Sequence, residues 1–139
     1  MALGKVMNLE LKENEPQYFE FIRNLRNHPQ LKTGFIQQEE ISSLQHADYM
    51  LNYGTNYYVC LLSGKPVGFI GVIDDDIRLA VDPSFQNLGV AKFMVQEIVK
   101  IFPTARAKVK VANTASMRLF QSLGFIEEFA IFVQSSNPK

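Results

Sequence analysis

Gln86, Gly89 and Ala91 stand at the spacing Gln-x-x-Gly-x-Ala, after a short apolar run from Ile77 to Val81 and at the head of an apolar-periodic stretch. Asp82-Pro83 ends the apolar run, so the order reads strand, loop, helix. A helix start leaves its first backbone N–H groups without intrahelical acceptors, and the helix dipole adds positive potential there. Gly89 has no Cβ, and Ala91 keeps the first turn narrow, so an anion can approach the backbone closely. The chemistry that this spacing serves is phosphate binding.

A second motif follows. Asn113-Thr114-Ala115-Ser116-Met117-Arg118-Leu119-Phe120 opens a candidate helix that runs to Leu123 and closes on Gly124-Phe125. Asn113 suits a helix cap, and Gly124 suits the position after a helix end. With both motifs in this order, the chain resembles the GNAT superfamily, the acyl-CoA-dependent N-acyltransferases. The resemblance implies one domain over residues 1–139 of α/β (α+β) class, with a central, mixed, mostly antiparallel sheet flanked by helices. It implies that the fourth and fifth strands splay apart around the pantetheine arm of acetyl-CoA, the cosubstrate, with no metal taking part. Backbone amides of Gln86, Asn87, Leu88, Gly89, Val90, Ala91 and Lys92 would cradle the pyrophosphate, and the Lys92 side chain would add its charge. The main chain of Leu79, Ala80 and Val81 would pair with the pantetheine as an added strand does. Asn113, Ser116 and Phe120 complete the implied cofactor set, and Arg118 would lie on the same helix.

The family's reaction is direct transfer of the acyl group to an amine. Many members carry tyrosine where this chain has Phe120, and that tyrosine protonates the departing thiolate. Phenylalanine cannot. Three routes remain open. Water can protonate the thiolate, whose pKa lies near enough to neutrality. Another hydroxyl, Ser116 or Tyr57, can substitute. Or the protein binds CoA without transferring anything.

The acceptor amine raises the opposite problem. An amine of pKa ~10.4 is neutral in only about one molecule in 2,500 at pH 7, so a proton acceptor is useful. Asp74, Asp75 and Asp76 precede the fourth strand. Three adjacent aspartates also suit a solvated turn, and Asp76, nearest the strand, is the candidate base. His28 and His46 titrate in the useful range but read as surface or helix-end residues. Cys60 alternates with apolar neighbours and reads as buried.

The resemblance puts the acceptor site on the first two helices, with Arg23, Arg26, His28 and Phe35 as candidate contacts. Ile22-Arg23-Asn24, an extended segment, then Ile41-Ser42 and His46 is similar to the pattern in bacterial nucleotide-sugar amine N-acetyltransferases. A fainter similarity is to acetyltransferases of ribosomal-protein N-termini. On the sugar reading, Arg23 or Arg26 meets a diphosphate, and Phe35 or Tyr57 stacks on a base or sugar. The expected acceptor is a small-molecule amine, with a peptide N-terminus or a non-catalytic CoA-binding module as alternatives.

The elements that must position these residues follow from periodicity. Val6 to Leu11 alternates and reads as a strand. Pro16 starts a helix through Tyr18, Phe19, Ile22 and Leu25, which Asn27-His28-Pro29 ends. Ser42 or Ser43 caps a second helix carrying Leu44, Ala47, Met50 and Leu51. Tyr57 to Leu62, Val67 to Ile73 and Ile77 to Val81 form a meander. Leu88 to Phe102 is a helix, Ala105 to Val111 a strand, Asn113 to Leu123 a helix and Phe125 to Val133 a final strand. The expected order is β-α-α-β-β-β-α-β-α-β, with Ser135 to Lys139 as a tail.

The 139 residues suffice for one domain with a core, and 47% hydrophobic with 20% charged residues is ordinary for a globular chain. Fourteen basic and fourteen acidic side chains cancel, which gives no electrostatic case for nucleic acid or an anionic membrane. One cysteine allows no internal disulfide. Neither a leader nor an apolar run near 18 residues is seen, so the expectation is a soluble cytoplasmic protein, monomer or homodimer.

Overall fold

The alternating runs after residue 56 fold as a meander because two tight turns return the chain each time. Ser63-Gly64 and Asp74-Asp75 all take positive φ, the backbone that two-residue hairpins require. Among the residues described by the computed structural model, 8–32, 35 and 40–135, one sheet forms with strand order β1-β2-β3-β4. The strands are β1 Leu9–Glu13, β2 Tyr57–Leu62, β3 Lys65–Ile73 and β4 Asp76–Val81. All pairings are antiparallel. The first strand thus sits later than expected, and Val6 and Met7 lie outside the described residues.

Side-chain alternation splits the core between the two sheet faces. One face carries Cys60, Val67, Ile70, Val72, Ile77 and Val81 beneath α4, Val90–Ile101, which contributes Val90, Met94, Val95 and Ile98. The other carries Tyr57, Val59, Leu61, Phe69, Ile73 and Ala80 beneath Ile22 and Leu25 of α1, Phe19–Arg26, and Met50 of α3, Ser43–Tyr53. Between these helices lies the short α2, Pro29–Lys32. Asn27, at the end of α1, donates to Ile41 O and accepts from Ile41 N, both at 2.8 Å, which fastens the entry of α3. Ser42 and Gln45 then form a reciprocal capping box.

Three expectations need correction. Helix α3 turns His46 and Met50 inward, and Leu44 and Leu51 are each 84% exposed. Its burial is set by packing on α1, where the ring of Phe19 meets His46 edge-on. Residues 105–111 do not form a ladder strand; only Asp76 and Arg106 bridge, in parallel. Ala105, Ala107 and Val109 still pack toward the core as the alternation requires, but Val111 is exposed. Residues 125–133 also form no strand, and Ile126, Phe129, Ile131, Phe132 and Val133 are exposed. Apolar alternation alone does not make a strand without a neighbour to take its hydrogen bonds. The last helix, α5, is Thr114–Ser122, capped by Asn113, whose side chain accepts from Ser116 N at 3.1 Å. Gly124 follows it at φ 88°. Among the described residues no helix is long and apolar enough to cross a membrane.

Candidate active site

β4 is an edge strand of the sheet, and its outer edge is where the site begins. Ile77 N donates outward to Arg106 O at 2.8 Å, and Arg106 N donates to Asp75 O at 2.7 Å. On the inner side, Asp82 N donates to Val67 O. Antiparallel strands alternate inward and outward bonding groups, so Leu79 and Val81 face outward like Ile77. Beyond Arg106 the chain has moved off, and no backbone bond from the described residues reaches them. Strand and segment therefore part into a fork, with unpaired main-chain groups along its β4 arm.

Asp76 stands at the base of that fork. Its Oδ2 lies 2.9 Å from Lys108 Nζ, and its Oδ1 lies 3.6 Å from Arg106 Nε. Oδ1 is buried and makes no hydrogen bond.

The fork opens into a cleft of about 940 Å³. Its walls are Ile77 to Val81, the segment from Ala107 to Lys110, and Ala112 to Ser116 with Leu119 and Phe120. One end is closed by Gln86, Asn87, Gly89, Val90, Ala91 and Lys92. Gly89 holds φ 84° at the start of α4 and supplies no side-chain cap. A Cβ at Gly89 would meet nothing within 4 Å, so the glycine is there for its backbone and for the open space before it. By contrast, α3 and α5 have side-chain caps. The first-turn amides of α4 thus meet the cleft uncapped, which suits a bound anion.

At the other end the sheet carries a polar row. Tyr57, Gly71 and Arg78 lie side by side across β2, β3 and β4. The Tyr57 ring lies across Gly71, where a Cβ would come within 2.5 Å of it. Its hydroxyl is 2.7 Å from that of Tyr49 on α3, and Arg78 Nη1 donates to Tyr49 Oη at 3.2 Å. Burial, then the neighbouring Tyr49, push the Tyr57 pKa well above the usual phenol range. Tyr57 is therefore a neutral hydroxyl at any working pH. Burial also pushes the Cys60 thiol up to about 12, so it is an inert core residue.

The fold thus gathers most of the residues singled out in the sequence. Tyr57, Asp76, Leu79, Ala80, Val81, Gln86, Asn87, Gly89, Val90, Ala91, Lys92, Asn113, Ser116 and Phe120 line the cleft, with Arg26 and Phe35 at its far end. Leu88 instead packs toward the core. Arg23 is outside the cleft lining, bonded to Glu20 at 3.0 Å and to Ile41 O at 3.0 Å. His28 is outside it too, and its Nδ1 accepts from Gln30 N. Sequence reading missed Tyr49, Arg78 and Lys108. Arg78 had a signal, a charged residue alternating within the apolar run of β4.

The family model described as the acetyltransferase (GNAT) family matches residues 19–125. The chain belongs to this family. No curated protein matches the sequence significantly. Solved structures resemble this GNAT chain closely in shape. A domain from Methanocaldococcus jannaschii DSM 2661 gives a TM-score of 0.77 at 20% identity, covering 88% of this chain and 90% of that one. Spermidine N-acetyltransferase from Vibrio cholerae, in complex with CoA and spermine, gives 0.73 at 19% identity, covering 91% and 88%. An aminoglycoside N-acetyltransferase in complex with CoA gives 0.68 at 20% identity, covering 94% and 97%. At these identities the likeness shows the GNAT fold.

Proposed function

We propose that this GNAT chain transfers an acetyl group from acetyl-CoA directly to the primary amine of a small molecule. The observation that carries the reading is the outward edge of Leu79 and Val81 leading to the uncapped start of α4. An extended amide chain ending in a pyrophosphate matches that order of groups, and CoA has such a chain. Acetyl-CoA supplies the thioester, and this protein's residues orient it.

On this reading, the main chain of Leu79 and Val81 holds the pantetheine amides as a further strand. Amides from Gly89 to Lys92 meet the pyrophosphate, each favourable charge at the helix start being worth ~0.3–1 kcal/mol. Phe120 packs against the pantetheine arm; its ring also stands 5.1 Å edge-on from that of Phe125. Among the described residues Asp76 is the one carboxylate lining the cleft. It takes the amine proton through Oδ1 or an intervening water while Lys108 holds Oδ2. Tyr57 or Ser116 supplies the hydroxyl that Phe120 lacks, and Tyr49 extends the Tyr57 hydroxyl toward solvent.

The relatives in complex with CoA support the cosubstrate, and spermine in one of them supports an amine acceptor. A second reading, a CoA-binding module without turnover, is favoured by one residue, Phe120. The test is acetyl-CoA binding by calorimetry beside CoA release against a panel of amines. Binding with an acetylated product supports the transferase. Binding with no product from any amine class favours the module, and no binding overturns both.

A further inference from the structure

Beyond the β4 edge, a second cavity of about 240 Å³ opens between α1, α3 and the sheet. Arg26, Glu40, Ile41, Gln45, His46, Tyr49 and Arg78 line it. Arg26 and Arg78 also line the main cleft, so they stand where the two spaces meet.

Tyr49 holds both arginines. The Arg26 guanidinium lies over its ring at 5.3 Å, and Arg78 bonds to its hydroxyl at 3.2 Å. Among the described residues neither has a carboxylate within ion-pair distance. The nearby acids are otherwise engaged. Glu20 pairs with Arg23, and Asp76 pairs with Lys108. Among the described residues Glu40 is the one carboxylate on the second cavity, and Arg23 feels its field. His46 is 1% exposed, and neither ring nitrogen meets full hydrogen-bond geometry, although the Phe19 backbone lies near enough to favour its charged form. Arg78 is exposed and Arg26 half-buried, so both guanidiniums are open to an anionic ligand, and the buried His46 stands in the same cavity wall.

We infer that this cavity is an anion subsite of the acceptor, with Arg26 and Arg78 holding a carboxylate or phosphate of the molecule whose amine is acetylated. The inference rests on the transferase reading for the word acceptor, but the subsite stands on its own geometry. It narrows the substrate class to amines that also carry an anionic group. Free polyamines and aminoglycosides, which carry only positive charge, are disfavoured by the same two arginines. Arg78 is a binding residue, and Tyr49 positions it.

The test titrates the CoA-saturated protein with three probes: an amino acid, a UDP-linked amino sugar and spermine. The expected result is that an anionic probe binds more tightly than spermine. Affinity for that probe falls about tenfold in Arg26→Gln and again in Arg78→Gln, while Arg78→Lys keeps most of it. Acetyl-CoA binding by each variant confirms that it folds. The amino acid and the UDP-sugar arms distinguish a carboxylate from a phosphate source. Spermine binding at least as tightly as both anionic probes overturns the proposal, as does unchanged anion affinity in the folded double variant. The probe comparison on the unaltered protein decides the matter even where a variant does not fold. Acetyl transfer is followed in parallel. Anion binding with no transfer to any amine class favours the non-catalytic module and leaves the subsite standing.

Discussion

Lys108 Nζ lies 2.9 Å from Asp76 Oδ2, at the point where β4 and residues 105–111 begin to part. The pair closes the base of the fork, and Asp76 Oδ1 remains without a hydrogen bond. Asp76→Asn keeps the shape and removes the proton acceptor. We expect kcat to fall by about 10²-fold or more with little change in the acetyl-CoA dissociation constant. A change confined to acetyl-CoA affinity would make Asp76 a clasp only.

Gly89→Ala adds a Cβ that meets nothing nearby, so it costs only backbone strain, roughly 1–2 kcal/mol at φ 84°. Gly89→Glu adds a carboxylate before the uncapped amides of α4. Acetyl-CoA affinity is expected to drop modestly in the first and to vanish in the second. Calorimetry checks both. Full affinity in a folded Gly89→Glu protein would remove the loop from the cofactor site.

Phe120 is buried and borders the cleft. Phe120→Tyr is expected to keep acetyl-CoA affinity and to raise turnover, since the new hydroxyl can protonate a thiolate. A large loss of affinity would show that the ring has no room for an oxygen.

Gly71→Ala places a methyl group within 2.5 Å of the Tyr57 ring. Tyr57 is fully buried, so the ring cannot swing aside freely. The expected cost is about 1–3 kcal/mol in urea unfolding. Turnover should fall further than stability accounts for, because the Tyr57–Tyr49 contact moves with the ring. Wild-type stability and rate would contradict the packing described for this row.

Much of the framework was legible because its signals are local. The hairpins at Ser63-Gly64 and Asp74-Asp75, the alternation of β2 to β4 and the stripe of α4 each lie within a few turns of chain. The strand–loop–helix order around Gly89 was legible for the same reason. Ala105, Ala107 and Val109 were read correctly for side-chain direction and Val111 was not, and the segment was read wrongly for pairing, because pairing depends on a neighbour that the alternation does not name. The segment from Phe125 to Val133 failed in the same way. His46 read as a surface residue because nothing in α3 itself says that α1 covers it. Arg78 meets Tyr49 across 29 positions of sequence, and only the fold brings them together.

Burial lowers the His46 pKa, and the nearby Phe19 backbone opposes the shift only in part; Arg26 and Arg23 lower it further and Glu20 raises it. The folded state therefore keeps this imidazole neutral where the unfolded chain takes up a proton. Stability attributable to His46 is lost as pH falls from the ordinary imidazole range near about 6.5, and the loss levels off once His46 itself protonates. Urea midpoints from about pH 7.5 to about pH 5.5 are expected to fall more steeply in the wild type than in His46→Phe. Parallel slopes would contradict a buried neutral histidine.

Acetyl transfer itself is the decisive measurement. Purified protein is incubated with acetyl-CoA and the amine panel, and product masses are read beside released CoA, with Gly89→Glu as the control. We expect one acetyl group added to an amine in the wild type and none in the variant. Equal product from both proteins, or wild-type protein that neither binds acetyl-CoA nor acetylates any amine, would contradict it.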